Sequence, residues 1–370
     1  MILVHFHQNM RVEVSGLEDL IGWGVYILVE QKAWGTFAFL FGVGFAVLLR
    51  RLEARQAPVV VIYLRRLAGL AVFGVIAEVG FGFQILFAYA FWGLPLLLIR
   101  NWSTPALLAA AAVSAAAQPL TAAVRAILAW QAGVPLPPAR ASGLWEAVRA
   151  AEAHGSYLEV LAARWALFAH AQVDWQSYLP DTNLALFIIG LLAVRHGVLD
   201  RPRDHVRLIA GWMTFGGVSW LLSWTVANRL PELPIQGLGW PLASGLGLIR
   251  DQWLCFTYIG IVILTLAWRP VWTTRLAPFG QAGRMALTNY MLQVVVLDFL
   301  ASGYGLALRL RPAFYVVATV LLFALEALFA AGWLARFRYG PLEWLWRTLT
   351  YWRRQPLRRE PQPAGGPNRF

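Results

Sequence analysis

The sequence predicts an all-α, polytopic integral membrane protein, a helical bundle of about ten transmembrane helices. Composition is the first observation: hydrophobic residues make up 59% of the 370 residues and charged residues 14%, whereas about 25% are charged in an ordinary soluble domain. The mean hydropathy of +0.57 is the second. The third is a series of long apolar runs, which must be helical because backbone groups in hydrocarbon have to bond within the segment.

The apolar runs divide the chain into predicted elements. They lie near residues 33–49, 67–82, 84–99, 104–124, 179–194, 207–228, 252–268, 283–300 and 313–335. Residues 1–6 are apolar but too short to cross a bilayer, so we expect them to be the outer end of a truncated or partial first helix. A single transmembrane bundle is therefore predicted over residues 1–352.

Two polar segments complete this organisation. Residues 125–178 mix charged and apolar side chains, and we expect one or two extracytoplasmic amphipathic helices that lie over the outer mouth of the bundle. Residues 353–370 are rich in Arg and Pro, which is typical of a disordered tail.

The basic residues indicate the orientation. The net charge is +12, but arginines cluster at the ends of apolar runs, as in Arg50–Arg51 and Arg65–Arg66. This pattern predicts a lipid bilayer as the partner, with no nucleic acid, and a cytoplasmic C-terminus. Cys255 is the only cysteine, and the spacing of His and carboxylate residues predicts no metal site.

Candidate catalytic residues lie near the predicted outer face. His5 ends the first segment, and a histidine can act as a general base near neutral pH. Glu78 interrupts an apolar run, where it would orient that base or hold a proton. Alternatively, both residues are hydrated at the membrane interface without a catalytic role. Gln84 lies at the turn between two spans and is a candidate substrate-binding residue.

Further candidate substrate-binding residues lie in GRMALTNYMLQ (283–293). Asn289 and Gln293 are four residues apart on one helix face, where they would line a cavity or passage. Arg284, at the predicted inner end, suits phosphate because a guanidinium presents a planar fork of donors. Hydrogen bonding between helices is the alternative role for these polar groups.

Two pairs of opposite charge are predicted to form locally. Glu30 and Lys32 are expected to make a salt bridge at the interface. Glu343 and Arg347 are four residues apart in the favourable order, so we expect them to pair along one helix.

Three stretches carry a resemblance to a known family: GRMALTNYMLQ (283–293), GPLEWLWRTLTYWRR (340–354) and KAWGTFAFLFGVGFAVLLRR (32–51). In order and spacing they resemble the bacterial YeiB-like family, domain of unknown function 418. That family is similar to the acyltransferase-3 proteins and the heparan-glucosaminide N-acetyltransferases. The resemblance implies a multi-pass protein of the bacterial inner membrane, and a membrane O- or N-acyltransferase with acyl-CoA as donor and a cell-envelope acceptor.

The same resemblance assigns a role to one residue. ILVHF (2–6) resembles the end of the first acyltransferase helix, which places His5 at the position of a catalytic histidine. Three positions depart from the YeiB-like pattern, because His5 stands where that family usually has an asparagine, Ala77 where it has a histidine and Gln84 where it has an aspartate. Two alternatives therefore stay open: a transporter or flippase-like carrier that uses the carboxylates Glu78, Asp298 and Glu326, or a non-catalytic subunit of a membrane complex.

Overall fold

The structure is a computed structural model that describes residues 1–12, 14–133, 142–174, 178–230 and 239–359. Within these ranges the chain is helical, and β-structure is confined to two isolated bridges. The helices are α1 (Ile2–Met10), α2 (Leu17–Val25), α3 (Gln31–Ala54), α4 (Val59–Val75), α5 (Leu86–Ile99), α6 (Thr104–Gln131), α7 (Ser142–His154), α8 (Tyr157–Val173), α9 (Thr182–Arg195), α10 (Val206–Arg229), α11 (Gly239–Trp268), α12 (Val271–Arg275), α13 (Ala277–Arg284), α14 (Ala286–Ala301), α15 (Pro312–Arg336) and α16 (Pro341–Tyr351).

The predicted all-α class is confirmed, and every predicted apolar run falls in a helix. Four helical stretches are long and apolar enough to cross a membrane, judged by length and composition: Leu17–Ala54, Val59–Gly80, Thr104–Gln131 and Pro312–Arg336. Four shorter apolar helices accompany them: Leu86–Ile99, Thr182–Arg195, Trp253–Trp268 and Ala286–Ala301. The predicted total of about ten spans is therefore not confirmed in the described residues.

Close backbone contact packs α3 against α9. A Cβ atom added to Gly42 would lie 2.0 Å from the carbonyl oxygen of Phe187, and one added to Gly190 would lie 2.2 Å from that of Phe39. Small residues allow such an approach, and van der Waals contact is the main attraction between helices in lipid. The pair forms the centre of the larger apolar core.

The predicted amphipathic segment contains two helices, α7 and α8, which pack on each other. A capping box starts α8 after the break between the two helices. The backbone N–H of Ser156 donates to Glu159 Oε2 at 2.7 Å, and the Ser156 hydroxyl accepts from the Glu159 backbone N–H. The hydrogen bond from the Ser156 backbone holds the pKa of Glu159 below its ordinary value. This sequence signal ends one helix and starts the next.

The beginning of the basic tail is ordered, which corrects the expectation of disorder from residue 353. The backbone N–H of Arg338 donates to Leu357 O at 2.9 Å, and the Trp344 indole donates to Gln355 O at 2.8 Å. These bonds hold the tail against the ends of α15 and α16 as far as Arg359. Residues 360–370 of the predicted tail lie outside the described residues.

A reciprocal pair of helix caps joins α14 to α16. The Glu343 carboxylate accepts the backbone N–H groups of Leu287 and Thr288, at 2.6 and 3.0 Å, and the Thr288 hydroxyl, at 2.6 Å. In return, the Thr288 hydroxyl accepts the backbone N–H of Leu342, at 3.1 Å. The predicted pairing of Glu343 with Arg347 is therefore wrong, because the carboxylate satisfies the first-turn donors of a neighbouring helix.

We expect Glu343→Ala to lower the free energy of unfolding by about 1–3 kcal/mol, because it leaves the α14 donors without their acceptor. Gly340→Ala should act in the same direction, since its Cβ would lie 2.1 Å from Glu343 Oε2. Thermal unfolding of the purified protein in detergent measures both effects. Glu53→Ala is the control, because Glu53 is an exposed glutamate, and a melting temperature of Glu343→Ala equal to that of this control would contradict the prediction.

Candidate functional site

A cavity of about 340 Å³, here named the histidine cavity, lies among α1, α3, α5, α7, α9 and α14. Its lining consists of Met1, His5, Gln8, Asn9, Trp34, Gly82, Phe83, Gln84, Ile85, Ala88, Tyr89, Trp145, Asn183 and Tyr290. No Arg, Lys, Asp or Glu side chain stands among these described residues. Apart from the amino group of Met1, a ligand in this cavity would meet hydrogen-bonding side chains without a formal charge, and aromatic rings.

His5 lies at the wall of the cavity, in the middle of α1, and is 3% exposed. Its ring packs against Phe83, with centroids 4.4 Å apart, and against the edge of Tyr290 at 6.0 Å. Its Nδ1 atom is buried and has no hydrogen-bond partner in the described part of the chain. When the proton is on Nε2, Nδ1 is an acceptor, and no group in the described part of the chain satisfies it.

A donor without a partner lies on the same cavity. The indole Nε1 of Trp34 is buried and makes no hydrogen bond to any described residue. The backbone of Trp34 is fixed, because the Tyr89 hydroxyl donates to its carbonyl oxygen at 2.9 Å. Buried polar groups are normally paired, so His5 Nδ1 and Trp34 Nε1 are two exceptions on residues that line the same cavity.

The cavity brings together only two of the residues predicted from the sequence, His5 and Gln84. Gln84 is exposed in the segment between α4 and α5. Glu78 is half-buried in a π-helical turn at Ile76–Gly80. It does not line the cavity, but it interacts electrostatically with Tyr290, which lies beside the His5 ring. A direct role for Glu78 as a partner of His5 has no contact to support it among the described residues.

The polar residues of α14 lie elsewhere. Arg284 is exposed at the end of α13 and lines no part of the histidine cavity. Asn289 is buried and donates to Ala282 O at 3.2 Å, and Gln293 is buried and donates to Glu326 Oε2 at 2.9 Å. Asn289 and Gln293 share a helix face as predicted, but their amide groups make contacts within and between helices and do not line this cavity.

A second polar cluster next to the cavity was not expected from the sequence. His7 Nδ1 lies 2.8 Å from the Tyr315 hydroxyl, and His7 Nε2 lies 3.7 Å from Glu30 Oε2. Gln8, which lines the cavity, donates to Glu30 Oε1 at 2.7 Å. Glu30 therefore joins α1 to the start of α3, and its predicted pairing with Lys32 stays a prediction. The spacing of His7 and Glu30 in the sequence gives no signal for this contact.

A buried ion pair fixes α8 to the bundle beside the cavity. Arg164 Nη2 lies 2.6 Å from Asp298 Oδ1 and 2.8 Å from Glu152 Oε1, and Arg164 Nη1 donates to Gly80 O at 3.0 Å. Burial alone would lower the pKa of Arg164, but its hydrogen bonds and its attraction to Asp298 and Glu152 raise the pKa above its ordinary value. Gly82 permits this approach, because its φ is +77° and a Cβ there would lie 3.1 Å from the guanidinium.

Asp298 also accepts hydrogen bonds from the loop after α14. The Ser302 hydroxyl donates to Asp298 Oδ1 at 3.0 Å, and the Tyr304 hydroxyl donates to Asp298 Oδ2. Burial, followed by this hydrogen bond, raises the pKa of Tyr304 to about 12. Asp298 is thus a structural acceptor, and its carboxylate is not free for the proton relay of a carrier.

The described residues contain no group of three or more His, Cys, Asp or Glu side chains that could hold a metal ion. Cys255 is buried and unpaired. An imidazole can donate, accept and transfer a proton, and aromatic rings surround the one of His5.

Comparison with known proteins shows which proteins this chain resembles. Residues 193–353 match the family model described as "Protein of unknown function (DUF418)". The chain is 41% identical to the uncharacterized protein YeiB of Escherichia coli (strain K12) over 68 residues, which is 18% of each chain. These matches confirm the resemblance to the YeiB-like DUF418 family. The matched region includes both capping partners, Thr288 and Glu343.

Two relatives from Bacillus match over a longer part of the chain. The uncharacterized protein YxaH of Bacillus subtilis (strain 168) is 28% identical over 349 residues, covering 89% of this chain and 81% of that protein. An uncharacterized 39.9 kDa protein in the amylase 3' region of Bacillus acidopullulyticus is 25% identical over 340 residues, covering 90% of this chain and 84% of that protein. No solved structure matches. Acyl transfer stays a prediction, because none of these descriptions states a reaction.

We expect Arg164→Ala to lower the free energy of unfolding by about 3–5 kcal/mol, because it leaves the Asp298 carboxylate buried without its cation. Thermal unfolding in detergent, compared with Arg149→Ala on the exposed face of α7, measures the effect. A double variant, Arg164→Ala with Asp298→Asn, should recover part of the loss. Equal melting temperatures for the two single variants would show that the ion pair does not hold α8 in place.

Proposed function

We propose that this YeiB-like protein is a transmembrane acyltransferase that moves an acyl group from a cytoplasmic acyl-CoA to an extracytoplasmic acceptor. The observation that carries the proposal is the histidine cavity, where a buried imidazole has a ring nitrogen without a partner in the described residues. The resemblance of ILVHF (2–6) to the end of the first helix in acyltransferase-3 proteins, where a catalytic histidine takes the position of His5, points to the same residue.

The proposed reaction uses His5 as the general base. The His5 imidazole removes the proton from an acceptor hydroxyl or amine, and the acceptor atom attacks the thioester carbonyl carbon. The carbon–sulfur bond breaks, the new ester or amide bond forms, and the proton passes from the imidazole to the thiolate that leaves. No oxidant, reductant or metal is required to balance this exchange.

Other cavity residues have supporting roles in the proposal. Trp34 Nε1 is a donor that can bind the carbonyl oxygen as negative charge develops on it. The amide groups of Gln8, Gln84 and Asn183 line the same cavity and suit an acceptor with hydroxyl groups. Their neutrality fits an uncharged acceptor better than an anionic one.

A second candidate function is a proton-coupled carrier, and one observation favours it. His7, Glu30 and Tyr315 form a chain of ionisable groups in a buried region beside the cavity. Ionisable residues at membrane depth are costly and commonly mark proton or ion pathways. The carrier differs from the enzyme in needing no thioester, so the two functions separate in one assay.

We expect His5→Ala to reduce release of the CoA thiol from labelled acetyl-CoA by about 10²–10⁴-fold in reconstituted vesicles, because the general base is lost. Bacterial membrane extract supplies the acceptor, and labelled product and free thiol are measured together. His154→Ala is the matched control, since His154 is an exposed histidine at the end of α7. A wild-type protein that releases no thiol, or equal rates for His5→Ala and the control, would overturn the enzyme proposal.

The carrier gives the opposite pattern in the same vesicles. If the chain is a carrier, proton flux measured with an internal pH dye should occur without any acyl-CoA, and Glu30→Gln should reduce it, since a neutral amide cannot take up the proton. Flux that is absent, or that is equal in Glu30→Gln and Glu53→Gln, rejects this second candidate. Loss of both activities leaves the non-catalytic subunit as the remaining function.

A further inference from the structure

A second cavity, of about 200 Å³, lies between α3, α4 and α16. Its polar lining consists of Arg51 from α3, Arg55 directly after that helix, Arg66 from α4, and Arg347 and Tyr351 from α16. We name it the arginine cavity. The remaining lining residues are apolar or glycine, so four guanidinium groups converge here without a carboxylate among the described lining residues.

The acidic side chains nearest in sequence are engaged or point elsewhere. Glu343 lies one helical turn before Arg347, but its carboxylate caps α14. Glu53 lies between Arg51 and Arg55 in sequence and is exposed, and it is not part of the lining. Within the described residues, none of the four arginines is in an ion pair. Like charges that share a small space repel, so the cavity favours an anion that would neutralise them.

Aromatic rings hold two of the arginines in place. The Arg66 guanidinium lies 3.9 Å from the centroid of the Trp346 ring, and the Trp346 indole donates to Arg66 O at 2.8 Å. The Arg347 guanidinium lies 4.5 Å from the centroid of Tyr339. Stacking on an aromatic face leaves the donor edge of a guanidinium free, and these two arginines are therefore preorganised for a ligand.

One donor in the cavity is buried without a partner. Arg347 Nε makes no hydrogen bond to any described residue, although it is shielded from solvent. A charged donor in that situation costs free energy unless an acceptor pairs with it. Phosphate matches the arginine fork, because its oxygens accept two parallel hydrogen bonds and its charge is negative.

We propose that the arginine cavity binds the phosphate groups of an anionic ligand, through Arg51, Arg55, Arg66 and Arg347. Four cations suit a diphosphate or another group with at least two negative charges. The volume holds the phosphate group, and the rest of the ligand extends outside. A nucleotide-type molecule such as a coenzyme A ester and a phospholipid headgroup share this chemistry. The site does not depend on acyl transfer, although an acyl-CoA is one ligand of this class.

The arginine cavity lies at the opposite end of α3 from the histidine cavity. Arg51 and Trp34 lie on the same helix, α3, and at 1.5 Å per residue they are roughly 25 Å apart along its axis. Trp34 lines the histidine cavity and Arg51 the arginine cavity. The two cavities are therefore separate, and the predicted phosphate-binding residue Arg284 lines neither of them. The proposed phosphate site therefore consists of arginines, as the sequence predicted, but of arginines other than Arg284.

Binding to the full-length protein in detergent tests the proposal. Isothermal titration with inorganic pyrophosphate and with coenzyme A forms the soluble arm, and native mass spectrometry of nanodiscs that contain phosphatidic acid forms the lipid arm. We expect saturable binding in at least one arm. Arg347→Gln and Arg51→Gln should each weaken it by about 10- to 100-fold, the loss expected for a hydrogen bond to a charged group. Added salt should weaken it further.

Arg336→Gln is the matched control, because it removes the same charge from an exposed arginine at the end of α15. We expect this variant to bind as the wild type does, with all variants showing the wild-type melting temperature. Binding confined to the lipid arm identifies a headgroup as the ligand, and binding of pyrophosphate or coenzyme A identifies a soluble one. No saturable binding in either arm, or an equal loss in Arg336→Gln, overturns the proposal whatever the outcome of the thiol-release assay.

Discussion

The cap between Glu343 and the start of α14 is the contact on which both cavities depend. The first turn of a helix has backbone donors without intrahelical partners, and in a membrane protein no solvent satisfies them. Glu343 accepts two of these donors, and Thr288 returns a bond to α16. Tyr290 of α14 lines the histidine cavity, and Arg347 of α16 lines the arginine cavity. The Glu343 carboxylate thus holds together two helices, of which one lines the histidine cavity and the other the arginine cavity.

The same contact involves two of the sequence stretches that carry the resemblance to the YeiB-like family. In GRMALTNY the threonine and the backbone after Met285 receive the cap, and in GPLEWLWR the glutamate supplies it. Gly340 leaves room for the carboxylate, because any side chain there would overlap it. Trp346, two turns into α16, packs on Arg66 and on Gly69 of α4. These residues join three helices that are distant in sequence, α4, α14 and α16, and each residue therefore has a defined structural role.

Periodicity and composition predict the helices of this protein but not their neighbours. The apolar runs located the helices, and the short apolar start of the chain led to His5, which does line a cavity. Spacing within one helix shows which residues share a face, and it cannot show which other helix that face meets. Arg164 and Asp298 are 134 residues apart, and no local pattern relates them. Glu343 was therefore paired wrongly with Arg347, the partner that local spacing suggests.

The difference in chemistry between the cavities bears on the type of function. The histidine cavity offers neutral donors and acceptors with aromatic rings, whereas the arginine cavity offers four cations. A carrier exposes one site to each side of the membrane in turn, so a single set of residues meets a single substrate. Two cavities of unlike chemistry at opposite ends of α3 instead suit two different molecules. Because a group-transfer reaction needs a donor and an acceptor, this asymmetry favours the transferase over the carrier.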